Sequence, residues 1–264
     1  MLASTTATEP SVLKLYHAEP AANSLKAMIY LYEKELPFES RYVDLHKFEQ
    51  HEPWFVAINP EGQVPVLDDG GEIITHTTII GEYLEDRFPE AIPLRPNTPA
   101  GNARMRYWNK FVDEHVMNYV SMWGWHRMVG VIARGIGTGE FDKLMERIPL
   151  KDQREKWKTA RSGFSEKELA HATRKIEDAV DKLEAHLAKN KWLAGDMYTL
   201  ADGNMFSMLG FALERMFPEI GNDKRCPRFL DYTRRTADRP GVKKALAMPN
   251  RTNPALRTFT GEAR

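Results

Sequence analysis

From Val12 to Phe88 the apolar positions switch between a strand period and a helix period. VLKLYH is a short apolar run of strand length. After the turn at Pro20, NSLKAMIYLYEKE places Leu25, Met28, Ile29 and Tyr32 at the spacing of one helix face. FESRYVDL reads as a second strand, and HEPWFVAIN as a short helix or irregular turn. VPVLDD and GEIITH, joined by Asp69-Gly70-Gly71, predict a hairpin, because those turn residues tolerate positive φ. TTIIGEYLEDRF predicts a helix that stops before Pro89. The order β-α-β-α-β-β-α describes a compact α/β unit over residues 12–95.

The proline-rich stretch EAIPLRPNTPAG reads as a domain boundary. Beyond it, over residues 96–264, strand signals nearly vanish. GNARMRYWNKFVDEHVMNYVSMWGW and FSEKELAHATRKIEDAVDKLEAHLAKN predict long helices. The second opens with Ser165 and Glu168 as a capping box, and Leu169, Ile176, Val180, Leu183 and Leu187 form its apolar stripe. YTLADGNMFSMLGFAL predicts a further helix with Thr199 as N-cap and Asp202 reaching back to it, worth about 1 kcal/mol of local stability. The segment from Gly130 to Arg161 is expected to be irregular and charged, with glycine-rich turns in RGIGTGE. No strand precedes that motif and no Lys-Ser/Thr follows it, so it is not a phosphate loop.

Lys+Arg and Asp+Glu each number 37, and this balance argues against nucleic-acid binding. No apolar run approaches the ~20 residues that span a bilayer. MLASTTATEPS, residues 1–11, lacks the basic and apolar regions of a secretory signal and reads as a disordered polar tail, so a cytoplasmic protein is expected. The single cysteine, Cys226, excludes an internal disulfide and a multi-cysteine metal site, and its surroundings lack an activating pattern.

Two residues do not fit the periodic reading. Pro65 stands at the front of a strand, where proline is confined to edges and first positions. His76 stands where a helix begins. An X-Pro bond can be held cis for about 0.5–1 kcal/mol, so Pro65 can supply a bend that no other residue supplies cheaply.

An α/β unit followed by an all-helical domain, with NPEGQVPVL between the second helix and the hairpin, resembles the glutathione S-transferase superfamily over nearly the whole chain, from about Val12 to the last helices. The stretches ANSLKAMIYLYEK, KFEQHEPWFVAINPEGQVP, GEYLEDRFPE, KWKTARSGF and YTLADG are most similar to the bacterial β-etherases that cleave β-aryl ethers derived from lignin. The resemblance implies a thioredoxin-like N-terminal domain, an all-α C-terminal domain, glutathione as a consumed cosubstrate and no metal. It also implies a dimer, with itself or with a paralogue.

On that resemblance the main chain of Val64, before a cis Pro65, pairs with the cysteinyl backbone of glutathione in the manner of an added strand. The first helix begins at PAANSL, so its free N–H groups together with Ser24, or with Asn23, lower the thiol pKa. His51 and Gln63 fall at positions that touch the glycyl carboxylate or backbone of glutathione. Relatives carry Glu-Ser at the start of the third helix, where the serine binds the γ-glutamyl carboxylate and the glutamate its ammonium. Here His76-Thr77 stands instead. Thr77 keeps the hydroxyl, whereas a neutral His76 offers only an acceptor nitrogen. Losing the charge-assisted contact costs about 1–3 kcal/mol, unless another carboxylate such as Asp113 or Glu114 of a dimer partner replaces it. An aromatic substrate is expected between the loop after the first strand and the first long helix, touching Tyr119, Trp123 or His17. Three activities are consistent with these residues: a β-etherase, a non-catalytic subunit that stabilises a paralogue, or a general detoxifying transferase.

Overall fold

The computed structural model describes residues 12–251, so the expected tail at residues 1–11 lies outside the described residues. The alternating segment forms one mixed sheet of strand order β2-β1-β3-β4. β1 (Leu13–His17) runs parallel to β2 (Phe38–Tyr42) and antiparallel to β3 (Val66–Asp69), which pairs with β4 (Glu72–Ile74). The Asp69-Gly70-Gly71 turn needs its glycines, whose φ values are 62° and 102°. Strand alternation then sorts the side chains: Leu13 and Leu15 enter the main core, while Tyr16 packs on the opposite face with Phe55 and Val66.

α1 (Ala22–Glu33) is buried on nearly every side, including Ser24, Lys26 and Glu33, the mark of a central helix. α2 (Pro53–Val56) is a single turn that delivers Phe55 beneath the sheet, and α3 (Thr77–Arg87) packs beside α1. The end of α1 is tied to α3 by a buried ion pair, Lys34 Nζ to Glu85 Oε1 at 2.8 Å. Lys34 also donates to the carbonyl of Ile92, and Glu85 accepts from the N–H of Leu94, so the pair clamps the proline-rich linker as well.

The C-terminal half opens with a continuous helical rod: α4 (Pro99–Phe111), a π-helical turn (Val112–Val116), α5 (Met117–Gly124), a second π-helical turn (Trp125–Val129) and α6 (Gly130–Gly135). The segment expected to be irregular is instead helical: α6 is followed by α7 (Thr138–Arg147) and α8 (Lys151–Ser162), separated by the glycine-rich turn. α7 turns only Phe141 and Met145 inward and α8 only Trp157 and Ala160, so a thin apolar stripe was masked by charge on the other faces. Phe141, Met145 and Trp157 close a satellite core around Phe48, which comes from the N-terminal domain; the Phe48 and Trp157 ring centroids are 4.8 Å apart.

α9 (Glu166–Leu187) packs against α5 and carries the expected capping box, with Ser165 N–H donating to Glu168 and Glu168 N–H to Ser165 Oγ. α10 (Leu200–Met205) is buried throughout, and the Asp202 carboxylate accepts from Thr199 N–H, Thr199 Oγ1 and Leu193 N–H. α11 (Leu213–Met216), α12 (Pro227–Ala237) and α13 (Pro240–Leu246) complete the domain. α13 returns onto α1, where the Glu33 carboxylate accepts from Arg239 and from Val242 N–H. Cys226 is fully buried, its thiol donating to the Ile220 carbonyl. Among the described residues no helix is long and apolar enough to cross a membrane.

Candidate active site

A cleft of about 370 Å³ lies where the β1–α1 loop, the Gln50–Val64 region and the helical rod meet. Its polar end is the start of α1. Ala21 provides no side-chain cap, and Leu25 N–H is the first to find a main-chain partner, the Ala21 carbonyl at 3.2 Å. The N–H groups of Ala22, Asn23 and Ser24 therefore form the positive end of the helix dipole and have no acceptors among the described residues. Ser24 is 4% exposed, and its Oγ accepts from Ala18 N–H at 3.0 Å, which leaves the hydroxyl proton to donate elsewhere. Asn23 Oδ1 accepts from Thr77 Oγ1 at 3.4 Å, so the starts of α1 and α3 lie side by side.

The Val64–Pro65 peptide is cis. Val64 and Gln63 both line the cleft, and the N–H and C=O of Val64 make no hydrogen bond among the described residues. Gln63 is held through its carbonyl, which accepts from Asn59 Nδ2 at 2.8 Å. An unpaired main-chain donor and acceptor at the lip of a sheet form a docking edge for an extended peptide.

His51 and Gln50 share a short helical turn (Glu49–His51) that follows Phe48 in a left-handed conformation, φ 59°. Gln50 Oε1 and His51 Nδ1 are buried without partners, and both residues line the cleft. Burial, reinforced by the Arg147 guanidinium, holds the His51 imidazole down at about 4, so it is neutral near neutral pH. The ring rests directly on Gly62: a Cβ there would lie 2.5 Å from His51 Nδ1, and the φ of 62° independently favours glycine. Arg147 of α7 binds both Glu52 and the Phe48 carbonyl, so α7 braces this turn.

His76 is the N-cap of α3, with φ 60°, and makes no capping bond. Its Nε2 lies 3.7 Å from Glu61 Oε2, a carboxylate that no pattern in the sequence marks. The N–H groups of Thr77, Thr78 and Ile79 are uncapped; the ladder begins at Ile80 N–H to the His76 carbonyl. In its own chain Asp113 is fully engaged: one oxygen accepts from Lys26 Nζ and Asn204 Nδ2, the other from Thr78 Oγ1. Glu114 pairs with Lys110.

The apolar end of the cleft departs from expectation. Ser121, Trp125, Met128, Val129 and Ile132 line it from the rod, joined by Gln153 and Trp157 of α8. Tyr119 and Trp123 do not reach it: Tyr119 packs on His171, and Trp123 Nε1–H donates to Thr173 Oγ1 at 3.2 Å, both on α9. His17 is not in a loop but is the last residue of β1, 3% exposed. Its Nδ1–H donates to the Ala18 carbonyl at 2.7 Å, so Nε2 accepts from Ser40 Oγ–H, also at 2.7 Å, and neither nitrogen faces the cleft. The rod residues that line the cleft follow the spacing 121, 125, 128, 129, 132, a single helix face two residues out of phase with the pair chosen from sequence.

A mixed sheet with a cis proline before β3, an uncapped α1 start and an appended helical domain define the class. Residues 11–86 match the family profile "Glutathione S-transferase, N-terminal domain" and residues 166–235 match "Glutathione S-transferase, C-terminal domain". The chain belongs to the glutathione S-transferase family, whose members use glutathione as cosubstrate. It is similar to Protein LigF of Sphingobium sp. (strain NBRC 103272 / SYK-6), with 40% identity covering 90% of this chain and 95% of that protein. The crystal structure of β-etherase LigF from Sphingobium sp. strain SYK-6 superposes with a TM-score of 0.87 at 40% identity, covering 90% of this chain and all of that one. Glutathione S-transferase 3 of Zea mays is 29% identical, covering 89% of this chain and 93% of that protein.

Proposed function

We propose that this protein cleaves β-aryl ethers of α-keto aromatics, using the glutathione thiolate as nucleophile and releasing a phenol and a glutathione thioether. The observation that carries the reading is the pairing, in one cleft, of the uncapped α1 start with an aromatic wall made by Trp125 and Trp157, the latter within the KWKTARSGF stretch. The likeness to a β-etherase supports the same choice.

In this reading the thiolate sits at the α1 N-terminus and accepts from the Ser24 hydroxyl. The peptide of glutathione pairs with the N–H and C=O of Val64. Its glycyl end meets His51, Gln50 and Gln63, where neutral His51 contributes hydrogen-bonding capacity and not charge. Its γ-glutamyl carboxylate meets Thr77 and the free N–H groups of α3. Glu61, beside His76, supplies the carboxylate for the ammonium, so the contact is furnished within the chain. Sulfur then attacks the carbon next to the ketone, the C–S bond forms as the C–O bond breaks, and the electron pair departs on the phenolate oxygen. The adjacent carbonyl activates that carbon, leaving the protein to position both reactants and support developing charge.

Titrating the purified protein with glutathione while following tryptophan emission is expected to give saturable binding at millimolar concentrations or tighter, since Trp125 and Trp157 line the cleft. Absence of binding up to ~10 mM would contradict a self-sufficient enzyme and favour the non-catalytic subunit.

A further inference from the structure

Lys156, in the motif KWKTARSGF, is a half-buried cation without a carboxylate. The neighbouring Glu155 is taken by Lys158 at 3.0 Å, and among the described residues no Asp or Glu oxygen lies within 4.0 Å of Lys156. Its Nζ instead donates to Ser121 Oγ at 3.1 Å and rests 4.7 Å from the centroid of the Trp125 ring. Burial lowers its pKa from the ordinary lysine value, the response of an ammonium that lacks a compensating anion. Ser121 lines the cleft shared with Ser24 and Trp125. Its oxygen accepts from the ammonium, while its hydroxyl proton has no acceptor among the described residues. A serine polarised in this way is a prepared donor for negative charge that arrives only during a reaction.

We infer that Ser121 is a catalytic residue that donates to the departing phenolate oxygen, and that Lys156 is the positioning residue that polarises it. The inference rests on the β-ether reading and adds the leaving-group half of that site. As the C–O bond breaks, its electron pair moves to the phenolate oxygen, which gains the Ser121 hydrogen bond and the field of the ammonium behind it. No proton leaves Lys156; the released phenolate is protonated by water, balancing the proton lost earlier from the glutathione thiol. The Trp125 face keeps the lysine from solvent and so strengthens its field.

The test compares two β-aryl ether ketones that differ only in the leaving phenol, one of ordinary acidity (pKa near ~10) and one nitro-substituted and far more acidic. With glutathione saturating, Ser121→Ala and Lys156→Met are each expected to widen the rate ratio between the nitro and ordinary ethers by about tenfold or more, and Lys156→Arg to restore it towards wild type. A merely structural role would slow both ethers alike, so an unchanged ratio in both variants overturns the inference while leaving the β-ether reading intact. If the wild-type protein cleaves neither ether, the reading falls and this inference falls with it.

Discussion

Replacing Ser24 with alanine is expected to lower turnover of a β-aryl ether ketone by about 10²–10³-fold, the usual consequence of removing one donor to a charge that must be stabilised. The loss falls mainly on kcat, because the other contacts to glutathione are made by separate elements of the cleft. The hydroxyl has two tasks. It accepts from Ala18 N–H, which holds the β1–α1 loop against the helix, and in the proposed reaction its proton would support the thiolate beside the free N–H groups of α1. Without it the bound thiol ionises at higher pH, so the rising limb of the pH–rate profile moves upward by a unit or more. Measurement of kcat against pH for wild type and Ser24→Ala checks both expectations. A loss below about threefold, with a larger one in Asn23→Ala, would transfer the role to the Asn23 amide.

Lys34→Met is expected to destabilise the protein by about 3–5 kcal/mol, a large share of the 5–15 kcal/mol by which domains are ordinarily stable. The Lys34 and Glu85 side chains are 1% and 5% exposed, so the variant strands a carboxylate that retains only Leu94 N–H. The effect reaches beyond one pair, since Lys34 also fastens the Ile92 carbonyl and thus the linker between the two halves. Denaturant unfolding of Lys34→Met, Glu85→Leu and the double variant checks this. The double variant is expected to recover much of the loss, because it removes the stranded charge. A cost below about 1 kcal/mol in Lys34→Met would mean that the pair is not the clamp described.

The N-terminal fold is legible in the sequence because its elements announce themselves locally. The two periods, the glycine turn at Asp69-Gly70-Gly71 and Pro65 each carry a stereochemical reason within a few residues. Helices α7 and α8 are not legible in this way. α7 and α8 bury few side chains, and their core is completed by Phe48, which lies far away in sequence. Propensity and pattern cannot report an apolar stripe that thin when its partner comes from another domain. The lining of the apolar end of the cleft is not legible for a different reason. That the rod is amphipathic is plain, but a π-helical turn at Val112–Val116 adds a residue to the winding and rotates the remainder of the rod by about 100°. The face of Tyr119 and Trp123 packs on α9, while Ser121 and Trp125, about 200° further round the helix, line the cleft. Glu61 and Gln50 carry no mark in the sequence, because a half-buried glutamate and a polar turn residue are ordinary until the fold brings Glu61 beside His76 and turns Gln50 into the cleft.

The measurement that bears most directly on the central claim is a product balance. The purified protein is incubated with glutathione and a β-aryl ether ketone, and phenol, thioether and remaining glutathione are quantified together. Thiolate displacement predicts equal amounts of phenol and thioether, with glutathione consumed in the same amount and no cleavage when it is omitted. Phenol released without a matching thioether, or no phenol at all from a protein that binds glutathione, would contradict it.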